Sequence, residues 1–329
     1  MTPSVLVARA IYPETLARLR EHFVVEANPD DTVYTPAELS ARLKGKLGAL
    51  TTGSERIDAA VLDAHPQLRV VANMAVGYNN LDIAAFDARG VLATNTPDVL
   101  TETTADFGFA LMMATARRMA ESEHYLRAGR WTKWSYDMFA GAEVHGSTLG
   151  ILGMGRIGQA IARRGALGFG MKVLYHNRSR LPAAQEAPLG AIWVDKATLL
   201  RQADHLVLVL PYSAASHHAI GAAELAQMKP TATLTNIARG GIVDDAALAA
   251  ALRERRIAAA GLDVFEGEPA VHPDLLTVPN VVLTPHIASA THRTRRAMAE
   301  LAADNLIAAL TGGTPPTPVN PGVLPLTGV

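Results

Sequence analysis

Between an apolar run and an amphipathic one the chain reads Gly150-Ile-Leu-Gly153-Met-Gly155-Arg156-Ile157-Gly158, a G-x-G-x-x-G spacing. Chemically this is an anion cradle. Gly153 permits a tight turn, Gly155 lets the backbone approach a diphosphate, and Gly158 lets helix and strand pack closely. The helix that Arg156 and Ile157 open then presents N–H donors and the positive end of its dipole to the phosphates. A purely structural glycine turn is the alternative, but the strand before and the helix after favour a dinucleotide.

About twenty residues further on, sites for NAD place a carboxylate that accepts from the ribose 2′-hydroxyl. Here the next apolar strand ends in His176-Asn177-Arg178-Ser179-Arg180, with no acid. Two guanidinium groups and two short polar side chains suit a 2′-phosphate, which a carboxylate would repel. A solvated basic loop is the bland reading; after a phosphate loop the combination points to NADP(H).

Other polar residues stand where apolar runs end, and in a parallel α/β sheet ligands gather at those ends. Pro211 ends one run, Arg239 follows a second, Asp263 a third with Glu268 beyond it, and His286 a fourth. A guanidinium binds a carboxylate and polarises the neighbouring carbonyl. An imidazole can donate a proton to an oxygen becoming an alkoxide, and a carboxylate beside it fixes its tautomer and favours its charged form. The set suits hydride transfer to a 2-ketoacid. Singly, each residue has a plainer role: Arg239 as a helix cap, Glu268 as a solvated acid, His286 as a core histidine.

These residues need a scaffold of alternating short strands and longer helices, which the sequence supplies. Strands are expected at 5–11, 23–27, 49–52, 69–75 and 91–94, with a Pro-initiated helix at 36–43, and one long buried helix at 101–128. A second series follows: strands 148–152, 172–176, 205–210, 233–237, 258–262 and 281–284, and helices 156–165 and 291–310. The Pro/Gly-rich tail is expected to be extended or loosely packed. Two doubly wound domains are the implied architecture, and 329 residues accommodate them.

Composition narrows the function classes. With 30 Lys+Arg against 31 Asp+Glu there is no basic excess for nucleic acid or an anionic membrane. The absence of cysteine excludes disulfides, thiolate catalysis and Cys-ligated metal. The 11 histidines are scattered; His217-His218 reads as a polar surface pair, and no metal is expected. No targeting or membrane-spanning segment is read, so a cytoplasmic location is expected.

Together the stretches MAVGYNNLD (74–82), TETTADFGFALMMATAR (101–117), LGILGMGRIGQAIARR (149–164), NIARGGIVDDAAL (236–248), AAGLDVFEGEP (259–269) and TPHIASATHRTRRAM (284–298) resemble the D-isomer-specific 2-hydroxyacid dehydrogenases over nearly the whole chain. WTKW (131–134), ATHRTR (290–295) and PVNPGV (318–323) resemble the glyoxylate/hydroxypyruvate reductases, especially the bacterial branch that also reduces 2-ketogluconate. The resemblance implies a flavodoxin-like substrate domain (1–99 and 288–329) with an inserted Rossmann NADP-binding domain (100–287). It implies Arg239 as the substrate-orienting residue, His286 as general acid/base, Glu268 as its partner, and the N–H groups of Val76 and Gly77 on the substrate carboxylate. It also implies Thr104 near the cofactor, Asp263 on the nicotinamide carboxamide, and a homodimer through the cofactor domains. Trp131 or Trp134 then either reaches the neighbouring site or packs the interface. A nucleotide-sensing corepressor of the same fold is the reading from another class.

Overall fold

The computed structural model describes residues 2–325. It divides into two units, Met1–Leu100 with Thr291–Val329, and Thr101–Ala290. Among the described residues no helix is long and apolar enough to cross a membrane.

The first unit alternates strand and helix: β1 (Ser4–Val7), α1 (Pro13–His22), β2 (Val24–Ala27), α2 (Pro36–Leu43), β3 (Gly48–Thr51), α3 (Ala59–Ala64), β4 (Val70–Asn73), α4 (Ile83–Arg89) and β5 (Leu92–Thr94). The strands form one parallel sheet in the order β2-β1-β3-β4-β5. α2 starts where Thr35 and Glu38 cap each other reciprocally. β1 is shorter than the expected 5–11, because Ala10 gives its N–H to the Asp31 side chain at 3.0 Å and the chain leaves the ladder.

The C-terminal segment returns to this unit as a long helix, 292–310, which follows the second unit in chain order. It lies on the sheet where Gly48 has no side chain; a Cβ there would stand 2.7 Å from a methyl of Leu306 and 2.9 Å from one of Leu310. Of the two expectations for the tail, extended or loosely packed, the described part follows the first: it is extended and pinned. Pro318 bridges to Thr94 and Val319 donates to Ala93 O. The buried Asn320 accepts from Ala93 N–H at 2.8 Å and donates to Val91 O and Asp87, both at 2.9 Å. One side chain thus satisfies edge groups of β5 that would otherwise be orphaned. The end of the tail, 326–329, lies outside the described residues.

The second unit opens with α5 (Thr101–Ala116) and α6 (Met119–Arg127), followed by β6 (Thr148–Leu152), α7 (Arg156–Arg163), β7 (Lys172–His176), α8 (Ala183–Glu186) and β8 (Ile192–Trp193). It continues through α9 (Lys196–Gln202), β9 (His205–Leu208), α10 (Ala222–Leu225), β10 (Thr233–Asn236), α11 (Asp245–Arg253), β11 (Ala259–Leu262) and β12 (Val281–Leu283); the returning helix is α12 (His292–Leu310). The expected single helix 101–128 is broken. Arg118 sits in the left-handed region at φ 54°, its guanidinium gripping Glu121 with two 2.9 Å bonds and lying over the Phe139 ring. α5 is buried on β10 and β11, with Gly108 against Ile237 and Gly261 against Leu111 and Thr115.

The seven strands are parallel, in the order β12-β11-β10-β9-β6-β7-β8. β9, β10 and β11 are buried throughout, as strands covered on both faces must be. From β6 the chain winds outward to β8 and then restarts at β9 on the other side, so the β6 and β9 ends flank the switch point where ligands of such sheets bind.

Removing the tail's anchor tests this account of the first unit. Asn320→Ala leaves Ala93 N–H and Val91 O without partners and should lower stability by at least about 2 kcal/mol in urea unfolding; an unchanged midpoint would contradict the anchoring.

Candidate active site

The glycine loop leaves β6 at Leu152. Gly153 has φ +103°, and a Cβ there would lie 2.6 Å from Leu210 N, so only glycine fits beside the end of β9. A Cβ on Gly158 would stand 2.4 Å from Gly153 O, which is the close helix–strand approach the spacing predicts. Gly155 is different: a Cβ there would meet nothing within 4 Å. Gly155 is the N-cap of α7, where Arg156 and Ile157 begin the helix. The loop's backbone is therefore open on the side where a diphosphate would lie against the helix N-terminus.

The residues after β7 divide their tasks. The Asn177 side chain accepts from Met154 N–H at 2.6 Å and so is tied to the glycine loop. The Trp193 indole donates to Asn177 O at 3.1 Å. Arg180 is engaged by Glu186 through its Nε and Nη2, the shortest contact being 2.7 Å. The buried Tyr175 hydroxyl donates to the same carboxylate at 2.6 Å. The hydrogen bonds of Arg180 and then Tyr175 hold the Glu186 carboxyl below its ordinary value, against the smaller opposing effect of burial. Arg178 and Ser179 are exposed, and Arg178 makes no hydrogen bond or ion pair among the described residues. Sequence reasoning missed Glu186 and Trp193, since neither carries a motif; both become visible only when β7, β8 and α8 are assembled.

At the far strands, Arg239 follows β10 in a turn held by Asn236, whose Oδ1 accepts from Ala238 N–H at 3.1 Å and whose Nδ2 donates to Arg239 O at 3.3 Å. Arg239 Nη1 donates to Ala238 O at 2.7 Å. The next residue must be glycine, because a Cβ on Gly240 would overlap Phe265 O at 1.7 Å. The turn bearing Arg239 is thereby pressed onto the loop bearing Glu268. Burial pushes the Arg239 pKa below its ordinary value, with the Glu268 charge opposing.

Glu268 accepts from Phe265 N–H at 2.9 Å and from His286 Nδ1 at 2.8 Å. Burial would raise its carboxyl, but the hydrogen bond and charge of His286, then Phe265 N–H and Arg239, hold it below the ordinary glutamate value. An ionised carboxylate only accepts, so Nδ1 carries the proton and Nε2 is the nitrogen left for a substrate. Side-chain exposure of 46% at His286 leaves that nitrogen reachable.

His286 itself sits at φ 53°, a conformation costing about 1–3 kcal/mol for a non-glycine residue. Asp263 holds it there. Its buried carboxylate accepts from Ile287 N–H at 2.9 Å, Ala288 N–H at 2.8 Å and the Thr284 hydroxyl at 2.7 Å. Burial leaves the Asp263 carboxyl above its ordinary value despite these bonds. Pro211 is exposed past β9, with its carbonyl accepting from Ser216 at 3.0 Å. The Thr104 hydroxyl, on α5, is buried with no hydrogen-bond partner among the described residues. In the first unit, Asn95 and Asn73 bind the carbonyls of Val76 and Gly77 at 2.9 and 3.2 Å.

The second unit thus brings Arg239, Glu268 and His286 to the strand ends of the sheet that carries the glycine loop, and an uncharged Asn177 stands where an NAD-type acid would be. The cradle and the open Gly155 fit a dinucleotide.

Comparison with known proteins agrees. The model of the D-isomer specific 2-hydroxyacid dehydrogenase NAD binding domain matches residues 109–288. The glyoxylate reductase of Thermococcus onnurineus is 50% identical over 328 residues, covering 98% of both chains. The glyoxylate/hydroxypyruvate reductase B of Klebsiella pneumoniae strain 342 is 48% identical over 327 residues, covering 98% of this chain and all of that one. Among solved structures, the NADPH-dependent glyoxylate/hydroxypyruvate reductase of Sinorhizobium meliloti in complex with NADP and malonate superposes with a TM-score of 0.85 at 38% identity, covering 97% of each chain. By its cofactor-domain match and its full-length relatives, the chain belongs to the D-isomer-specific 2-hydroxyacid dehydrogenase family.

Proposed function

We propose that this chain reduces small 2-ketoacids (glyoxylate, hydroxypyruvate and, more widely, 2-ketogluconate) to D-2-hydroxyacids, with NADPH preferred over NADH. The observation that carries the reading is the 2.8 Å bond between His286 Nδ1 and Glu268, beside Arg239 and on the same sheet as the glycine loop. The names of the relatives support the substrate class, and the NADP complex of a similar enzyme supports the cofactor.

Bound NADPH supplies the hydride. Residues 100–287 hold it: Gly153, Gly155 and Gly158 with the Arg156 and Ile157 N–H groups at the diphosphate, Asn177, Arg178, Ser179 and Arg180 around the 2′-phosphate, and Thr104, Pro211 and Asp263 along the rest. Residues 1–99 and 288–329 hold the substrate, the Val76 and Gly77 N–H groups receiving its carboxylate together with Arg239. Protonated His286 gives its Nε2 proton to the carbonyl oxygen as that oxygen gains charge, and Glu268 stabilises the cation beforehand. The working form is a cytoplasmic homodimer; the 54% and 72% exposure of Trp131 and Trp134 supports their use between subunits.

A steady-state panel of the three ketoacids with each cofactor tests the activity. Turnover with NADPH is expected, whereas cofactor binding without turnover would favour a nucleotide sensor. Arg178→Ala should weaken NADPH binding by about 1.5–3 kcal/mol, the worth of a hydrogen bond to a charged group, and leave NADH nearly unchanged; equal losses would contradict the 2′-phosphate assignment. The third test removes the ionised acceptor. Glu268→Gln takes away the charged partner of His286 Nδ1 and should lower kcat about 10–100-fold with KM little changed; a wild-type kcat would count against the pair.

A further inference from the structure

Outside the residues assigned above, the described part of the chain brings one set of metal-ligating side chains together. His217 and His218 lie on the connection after β9, and Glu266 lies on the loop after β11. One ligating atom from each falls within 4.8 Å of the other two. His218 Nε2 is 2.9 Å from Glu266 Oε2, the two imidazoles stack with ring centres 3.9 Å apart, and His217 and Glu266 are exposed. We propose that His217, His218 and Glu266 form a binding site for a divalent transition-metal ion of the zinc class, with the fourth position open to solvent.

The donor set is the first argument. Two imidazole nitrogens and a carboxylate oxygen are ligands that zinc and its borderline neighbours share, and three protein ligands with one open position is a common arrangement. Distances are the second. Donors about 2.0–2.2 Å from zinc stand roughly 3.3–3.5 Å apart in a tetrahedron. The 2.9 Å pair need open only by about half an ångström, and the widest separation need close by little more than an ångström. Exposed side chains can make both movements.

The surroundings are the third argument. A ligating imidazole usually hands its other nitrogen to an oxygen that fixes tautomer and direction. Here His217 Nδ1 lies 3.2 Å from the Tyr212 hydroxyl; His218 Nδ1 faces the Asp244 carboxylate at 3.9 Å, beyond hydrogen-bond length. His218 Nε2 now gives its proton to the Glu266 carboxylate, and an ion would take that proton's place between the two. The backbones that carry the ligands are already fixed, since His218 N–H donates to Gly241 O at 2.7 Å and Glu266 N–H to Asp245 at 3.0 Å. The same Gly241 has no side chain where one would crowd Tyr212 at 3.1 Å and His217 at 3.4 Å.

Position gives the site a consequence. Glu266 lies two residues before Glu268, on the loop against which the Arg239–Gly240 turn is pressed. An ion held by all three ligands ties residues 217–218 to that loop and stiffens the support of the His286 partner without touching His286.

The test is metal binding itself, so its outcome does not depend on the proposed activity. Full-length, tag-free, chelator-treated protein is titrated with Zn²⁺ in a calorimeter and with Co²⁺ by visible absorption. One ion per chain should bind, saturating at submillimolar metal. His217→Ala and Glu266→Gln should each weaken binding at least about tenfold, equal to about 1.4 kcal/mol, while His124→Ala, at a side chain 77% exposed elsewhere on the surface, should leave it unchanged. Circular dichroism melts confirm that each variant is folded, and the near-isosteric Glu266→Gln keeps the test intact if His217→Ala is not. Absence of saturable binding at submillimolar metal, or wild-type affinity in a folded ligand variant, overturns the proposal.

Discussion

An imidazole can serve as a directed proton donor, as proposed for His286, only when its tautomer and orientation are fixed before substrate arrives, and here both rest on the contact between His286 Nδ1 and the Glu268 carboxylate. Much of the second unit exists to make that contact possible. Asp263, buried at the end of β11, uses its oxygens on Thr284, Ile287 and Ala288 and so fixes the left-handed backbone that swings His286 outward. Phe265 N–H fixes Glu268 from its own loop. Gly240 lets the Arg239 turn lie directly on that loop, bringing a third charge into the same field. The strain at His286 is tolerable because buried, hydrogen-bonded neighbours determine it from both sides.

The cofactor end follows a parallel logic, in which glycine supplies space and a polar side chain supplies direction. Gly153 and Gly158 allow the loop to fold against β9 and α7, while Asn177 ties the Met154 N–H to the end of β7. An aspartate at that position could make the same bond but would add a negative charge beside the proposed 2′-phosphate site. Asn177 keeps the bond and drops the charge. Glu186 pairs with Arg180, which stays exposed, leaving Arg178 as the guanidinium of the loop with no such partner among the described residues.

Legibility in the sequence followed the range of the interactions. The glycine loop, the Asn177–Arg180 run and the strand-end Arg239, Asp263, Glu268 and His286 could be read because each is a local pattern or sits where an apolar run stops. The parallel α/β class could be read for the same reason, from buried strands such as 205–208 and 233–236. What escaped depends on contacts between distant segments. β8 has only two residues, Ile192 and Trp193, both exposed. The break at Arg118 comes from pairing with Glu121 and lying over the Phe139 ring, although the apolar pattern runs on through it. The anchoring of the tail hangs on Asn320, whose three partners lie more than 220 residues away. Likewise, His217-His218 gained Glu266 only through the folding together of the loops that follow β9 and β11.

The central claim is most directly tested by ¹⁵N NMR of histidine-labelled protein, with the His286 signals identified by their loss in His286→Gln. The account predicts that neutral His286 carries its proton on Nδ1 and that Nε2 is the nitrogen that titrates. A neutral ring protonated on Nε2, with Nδ1 titrating, would show that Glu268 does not orient the donor, and would contradict the account.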